Sequence, residues 1–461
     1  MEFDYIIIGA GSAGCVLANR LSADPAVSVC LIEAGMKDSN PAIHMPIGYG
    51  KTIHAPSISW QLFTESEPSA NGRRLPLPRG KVLGGSSSIN GMIYIRGAPS
   101  DFNLWANLGC SGWGWDDVLP FFHKAEAYDA EGSGEAPAGD YGTNGPLAIT
   151  PVRHDNPTNR AMIDAFAQWG LPRTNNFNGP SQEGTGYYHV TMQGGKRCST
   201  AQAYLKPALR RPNLTLITQA QASKINMAEG KAVSVDITGR KGPQTITAGR
   251  EILVSAGAYH SPHLLNLSGI GPAERLKAAG IEVVIDSPEA GENLQDHFMA
   301  PMAWEIHPGF YTYNHELRGL ALVKNTLRYY LTRKGPMTIP AASVGAYIKS
   351  DPALDIPDLQ FHALAVTGDL EVASQGGNAE LTDYPGLTIG GATVRPESRG
   401  TCFARTSDYR DPPAIRHNFL SAPEDQRLTV KAMHIARDVA AQPALRDIIK
   451  QETLPGSDAV S

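Results

Sequence analysis

The first thirty-five residues constrain this chain more than any other stretch. FDYIII (3 to 8) is a short apolar run of strand type, and Gly9-Ala-Gly11-Ser-Ala-Gly14 follows at once. CVLANRLSA then has helical spacing, and a second strand, VSVCLIEAG, ends at Glu33. Each position has a physical task. Gly9 permits a tight strand-to-helix turn, Gly11 lets the backbone approach a pyrophosphate, and Gly14 lets the helix pack close to the strand. The phosphates would sit at the helix N-terminus, where unpaired N–H groups and the helix dipole favour anions. Glu33 stands about 20 residues beyond the last glycine, where a carboxylate can take ribose hydroxyls. An acid there argues against NADP but leaves NAD and FAD both open.

The rest of the composition sets the frame. At 461 residues the chain exceeds what one core usually serves, so two domains are expected. Apolar residues are 42 % and charged residues 18 %, ordinary for a globular enzyme. The formal charge of −5 gives no electrostatic reason to expect nucleic acid or an anionic membrane. No segment is long and apolar enough to span a bilayer. The apolar N-terminus is not a secretion signal, because Glu2 and Asp4 replace the basic flank such a signal carries. Five cysteines, odd in number and scattered without metal-ligand spacing, point to a reduced, cytoplasmic location and no metal.

A second stretch, RGKVLGGSSSINGMIYIRG (79 to 97), poses a choice. Its GGSSS centre has linker composition, yet it runs into INGMIYI, which is apolar and β-branched. A solvated tether has no use for that neighbour. A run of backbone N–H groups with little side-chain bulk can instead wrap an anion or a ring edge.

From Gly80 through Ser86-Ser-Ser-Ile-Asn90 to Tyr94 and Gly97, this stretch resembles the first signature of the glucose–methanol–choline (GMC) family of FAD-dependent oxidoreductases. Gly257-AYHSPHLLNLSGIG-Pro272 resembles the second signature. Weaker echoes are GWGW (112 to 115), RPNLTLIT (211 to 218) and GENLQDH (291 to 297). The similarity runs from residue 3 to about 435 and is closest to the choline dehydrogenase and alkyl alcohol dehydrogenase branch.

The resemblance implies an α/β chain: a Rossmann-like FAD-binding domain with a second, substrate-binding domain built on a mainly antiparallel sheet with helices. The FAD domain is expected over 1 to 155 and 215 to 300, and the substrate domain over 156 to 214 and 301 to 461. Beside the nucleotide motif (Gly9, Gly11, Ser12, Ala13, Gly14, Glu33, Ala34), the resemblance assigns FAD contacts to Trp60, Arg79, Gly80, Leu83, Gly84, Ser87, Asn90, Gly91, Met92 and Ile93. It adds Ala222, Ala256, Gly257 and Ser261. Some family members bond the flavin to a histidine just before the asparagine. Ile89 stands there in this chain, so FAD is expected to be bound non-covalently.

Strands are expected at 251 to 257, 358 to 366 and 386 to 394, a short helix in SPHLLNLSGIG, and a helix starting near Ala422 to Glu424. The acidic stretch 126 to 145 reads as a surface loop. The implied reaction is oxidation of a small-molecule alcohol to an aldehyde or ketone, hydride passing to flavin N5, with oxygen or a quinone as acceptor. In the family the acid–base histidine and its histidine or asparagine partner lie in an HPxGTCxMG-like motif and the segment after it. The GTC at 400 to 402 lacks that histidine. By the resemblance the pair falls beyond Ser461, so the chain is expected to be a shortened member, with no catalytic residue assigned within it. His260, His263 and His297 are expected to serve cofactor or structural contacts, and His362 to line the substrate pocket. The competing readings are a flavin-binding protein without activity and an NAD-dependent dehydrogenase.

Overall fold

The computed structural model describes residues 1–128, 141–369, 372 and 380–459. Most of the expected loop at 126 to 145 lies outside the described residues. Its first three residues, Glu126–Tyr128, form a strand parallel to Leu147–Pro151.

The opening motif folds as its spacing requires. Strand Glu2–Ile8 leads through Gly9 into helix Ser12–Leu21, and the chain returns as strand Val29–Glu33, parallel to the first. Ile6–Ile8 and Val29–Ile32 form unbroken apolar runs because both faces of their sheet are covered there. Cys15, Ala18 and Tyr204 pack on one side, and Ile225, Val235 and Leu264 on the other. The sheet runs in the order Leu214–Thr218, Val29–Glu33, Glu2–Ile8, Gly242–Val254, Lys231–Gly239, Ala220–Ala228. The first four strands are parallel and the last three form an antiparallel meander. The expected strand at 251 to 257 is the C-terminal end of Gly242–Val254.

A second six-stranded sheet is antiparallel throughout, in the order Ile449–Leu454, Met299–Ile306, Gly386–Thr393, Leu359–Leu364, Val344–Ile348, Gly184–Tyr187. Helices Pro157–Trp169 and Pro423–Ala440 cover one face. Leu428, Ala432, Ile435 and Val439 repeat at helical spacing and meet Phe361, Leu387 and Ile389 in the largest core of the molecule. Fully burying each large side chain there stabilises the fold by about 1.5–3 kcal/mol.

The expected division of the chain needs one correction. Cys198, Ala201, Tyr204, Leu205 and Ala208 belong to the core beneath the first sheet, not to the second. Arg211 and Asn213 tie this stretch to the end of the first helix through Ser22 Oγ at 2.8 Å and Val27 O at 2.8 Å. Packing thus changes sheet near residue 198, ahead of the border expected at 214. Likewise the strand pair Thr401–Phe403 and Ala414–Arg416 packs on the hairpin Ser59–Phe63/Pro76–Gly80, through Cys402, Ile415, Leu62 and Leu77.

Candidate active site

The C-terminal ends of the parallel strands open onto a cavity of about 480 Å³. In open α/β sheets this edge is where ligands bind. Its wall holds thirteen of the expected contacts: Gly9, Gly11, Ser12, Ala13, Glu33, Ala34, Trp60, Arg79, Gly80, Ala222, Ala256, Gly257 and Ser261.

The glycines divide into two kinds. A Cβ on Gly14 would lie 1.9 Å from Gly9 O, and one on Gly9, at φ +97°, would lie 2.6 Å from Ser255 O. Those two serve packing. A Cβ on Gly11 would meet nothing nearer than 3.9 Å, and one on Gly257 nothing within 4 Å. Both positions leave backbone open to the cavity, a cradle that a side chain would fill.

Two helices begin in this wall. Ser12–Leu21 and Gly257–Leu267 both lack a side-chain cap and an acidic residue in the first turn. Their free N–H groups therefore face the cavity rather than a capping oxygen, and two dipoles favour an anion there. The second helix starts at Gly257, ahead of the SPHLL segment expected, because Gly257 at φ +83° makes the turn out of the strand. Gly269, at φ +81°, closes it.

Glu33 stands in the cavity wall at the end of the second strand. Its Oε2 accepts from Ala10 N and its Oε1 from Gly35 N, each at 2.8 Å. Burial pushes its carboxyl up to about 7, against the pull of those two N–H groups and of Lys81. At the other end of the cavity the Trp60 ring lies against His260, tilted by 35° with ring centroids 4.4 Å apart, and Lys81 Nζ lies 4.0 Å from the Trp60 ring. Burial holds the His260 imidazole down at about 3 and His263 at about 4, so both are neutral. Arg79 donates to the Tyr259 hydroxyl at 2.8 Å, which meets His417 Nε2 at 3.0 Å. Tyr259, His260 and His263 also line the cavity.

Eight of the expected FAD contacts lie outside the cavity wall, as do His362 and His297. Gly14 is spent on helix packing, and Leu83 is buried in the core beside Cys15. Gly84, at φ +87°, donates its N–H to Ala10 O, and Ser87 is bonded to Thr200. Arg197 grips Asn90, with Nη1 on Asn90 Oδ1 and Nη2 on Asn90 O, both at 2.7 Å. Gly91 abuts Ala341, Met92 packs with Val190 and Met192, and Ile93 bridges to Val190. His362 is paired between Gly345 and Gly390 in the second sheet, 5.4 Å from the Tyr188 ring, and does not reach this cavity. His297 meets Val394 O at 3.2 Å.

Two site features add residues that were not named as contacts from the sequence. Gly85 and Ser86 line the cavity, and a Cβ on Gly85 would lie 2.7 Å from Gly11 Cα. The glycine–serine run is therefore folded flat on the nucleotide turn and is no linker. Arg197, whose guanidinium also donates to Ser87 O and Ile43 O, clamps that run from behind. An isolated arginine more than a hundred residues away carries no local signal.

The observed donors fit a dinucleotide: open backbone at Gly11, two bare helix N-termini, and a carboxylate at the strand end. They fit FAD in particular because the cavity continues past the nucleotide end to an aromatic wall at Trp60 and Tyr259.

The profile of the GMC oxidoreductase family matches residues 3–299. The chain is 38 % identical to the alcohol dehydrogenase [acceptor] of Pseudomonas putida over 464 residues, 100 % of this chain and 82 % of that protein. It is also 38 % identical to the oxygen-dependent choline dehydrogenase of Brucella anthropi, with the same coverage. Among solved structures, pyridoxine 4-oxidase from Mesorbium loti superposes with a TM-score of 0.86 at 29 % identity, covering 99 % of this chain and 84 % of that one. Formate oxidase shares the fold with a TM-score of 0.91 at 24 % identity, covering 98 % and 83 %. The chain belongs to the GMC oxidoreductase family and is an FAD-dependent oxidoreductase.

Proposed function

We propose that this protein oxidises a small-molecule alcohol to an aldehyde or ketone with FAD held non-covalently in the cavity beneath Gly11 and Gly257. The observation that carries this reading is the convergence of two uncapped helix N-termini on a cavity that runs from Glu33 to Trp60. When bound, FAD supplies the hydride acceptor. The chain supplies position. Gly11, Ser12, Ala13 and the Ala256–Gly257 turn offer N–H groups to the pyrophosphate. Glu33 and Ala34 take the ribose, Ala222 borders the adenine, and Trp60, Arg79 and Gly80 border the remainder. Leu83, Gly84, Ser87, Asn90, Gly91, Met92 and Ile93 shape the loop that carries Gly85 and Ser86 against the nucleotide turn. Ile89 is buried and offers no atom for a covalent link.

The relatives' names point to choline and to alkyl alcohols as the first substrates to try, with oxygen or a quinone as acceptor. All five cysteines are unpaired, which supports a reducing, cytoplasmic setting. The test is spectroscopic. Purified protein should be yellow, acid precipitation should leave the flavin in the supernatant, and anaerobic choline or a primary alcohol should bleach its absorbance. Yellow protein that no alcohol bleaches would overturn the reaction, and colourless protein that takes up no added FAD would overturn cofactor binding.

A further inference from the structure

Helix Gly319–Thr332 is amphipathic, and the wrong way round for an ordinary surface helix. Its inner face rests on Asn325 and Tyr329, which are buried. Its outer face carries Leu320, Val323, Leu327, Tyr330 and Leu331, exposed by 89, 65, 60, 51 and 75 %. Their i, i+3, i+7 spacing gathers them into one stripe rather than scattering them. Single exposed leucines are ordinary, but a contiguous stripe of five large apolar side chains marks a surface meant to be covered.

The charge on the helix itself has one sign, Lys324 and Arg328 being its only ionisable side chains besides tyrosine. From Leu317 to Gly335 the chain carries five basic residues and no acidic one. Arg318 pairs with Asp383. Among the described residues Lys324, Arg328, Arg333 and Lys334 enter no ion pair. Lys324 and Arg328 stand one turn apart along the edge of the stripe, and Arg333 lies 4.9 Å from the Tyr329 ring at its end.

We propose that this face docks the protein on an anionic lipid surface, with the helix lying in the interfacial plane and its leucines among the acyl chains. An apolar stripe edged by cations is the pattern that binds such a surface. Tyr330, with an apolar ring and a polar tip, suits the headgroup level. A second copy of this chain is the poorer occupant. A twofold contact with the two helices antiparallel would gather Lys324 and Arg328 of both copies along one side, like charge beside like. The chain as a whole is acidic, so the same field that draws this face to an anionic surface turns the rest away. No helix among the described residues is long and apolar enough to cross a membrane, so the contact is peripheral.

The test uses the full-length, FAD-loaded chain in vesicle flotation, and it needs no substrate, so its outcome is independent of the alcohol-oxidation reading. The protein should float with an equal mixture of phosphatidylcholine and phosphatidylglycerol, not with phosphatidylcholine alone, and high salt should release it. Lys324→Gln and Arg328→Gln should each weaken partitioning by about fivefold. Leu327→Glu with Leu331→Glu should abolish it while flavin absorbance and elution volume stay unchanged, because both side chains are exposed. Failure of the parent protein to float, or flotation that survives the paired leucine substitutions, would overturn the proposal. So would a dimer that those substitutions convert to monomer without any vesicle binding, since the stripe would then belong to a second copy.

Discussion

Glu33 is expected to bind a ribose, yet its two observed partners are backbone N–H groups of its own fold. It therefore holds the nucleotide turn together before any cofactor arrives, and its burial has a cost that depends on pH. Its folded pKa is raised from 4.5 to about 7. Below pH 4.5 the folded and unfolded chains both carry the proton. As pH rises through this window the unfolded chain ionises first, so this group's contribution to stability is lost by about pH 7. Glu33→Gln removes that titration but leaves one N–H without an acceptor, a loss of about 1–3 kcal/mol. In cofactor-stripped protein the variant should melt below the parent at pH 5, and the gap should narrow towards pH 8. A gap that stays constant across that range would show that Glu33 is not held protonated by burial.

At the scale of the element, the loop from Arg79 to Gly97 shows what a sequence can and cannot tell. Its composition is that of a tether, and only the apolar INGMIYI beside it argued otherwise. The structure gives the reason in two contacts: Gly85 flat against Gly11, and Arg197 across Asn90. Gly85→Ala should break the first. Its φ of +54° strains a side chain, and the new Cβ would press on backbone that cannot swing aside. The expected loss is about 2–4 kcal/mol, read as a lowered melting temperature together with flavin lost during gel filtration. Full flavin retention in a folded Gly85→Ala protein would show that the contact is dispensable. The strand–turn–helix start was legible because every one of its constraints is local. The packing of residues 198 to 213 beneath the first sheet was not, because apolar spacing does not say which of two cores a segment joins. The individual contacts were harder to assign for a related reason: a signature marks a stretch, but not which of its residues face the cavity, and Leu83 and Met92 point into cores instead. The outward leucines of helix Gly319–Thr332 were hidden likewise, since periodicity reveals an apolar face but not whether anything covers it.

Across the whole molecule the same averaging affects charge. A formal total of −5 argued against an anionic surface, yet the basic residues between Leu317 and Gly335 are concentrated on one helix. Proton uptake is similarly a property of the ensemble. Burial lowers His189, His263 and His362 to about 4 and His260 to about 3, and lowers His417 as well. They are spread over the helix Gly257–Leu267 at the cavity, the second sheet, the short strand His189–Val190 and the stretch after Arg416, so no local opening can titrate them all. Unfolded, each would take a proton near pH 6.5. Stability contributed by these five is therefore present above pH 6.5 and lost as pH falls towards 4. Glu33 and Glu67, both raised by burial, act with the opposite sign over part of that range, but they are outnumbered, and the histidines prevail. Unfolding near pH 5 should thus be accompanied by net uptake of several protons, with stability falling by about 1.4 kcal/mol per pH unit for each proton taken up. Calorimetric melting of the FAD-loaded protein between pH 7 and 5 measures this directly. A melting temperature that stays level over that interval would mean that the buried imidazoles already hold their protons in the folded state.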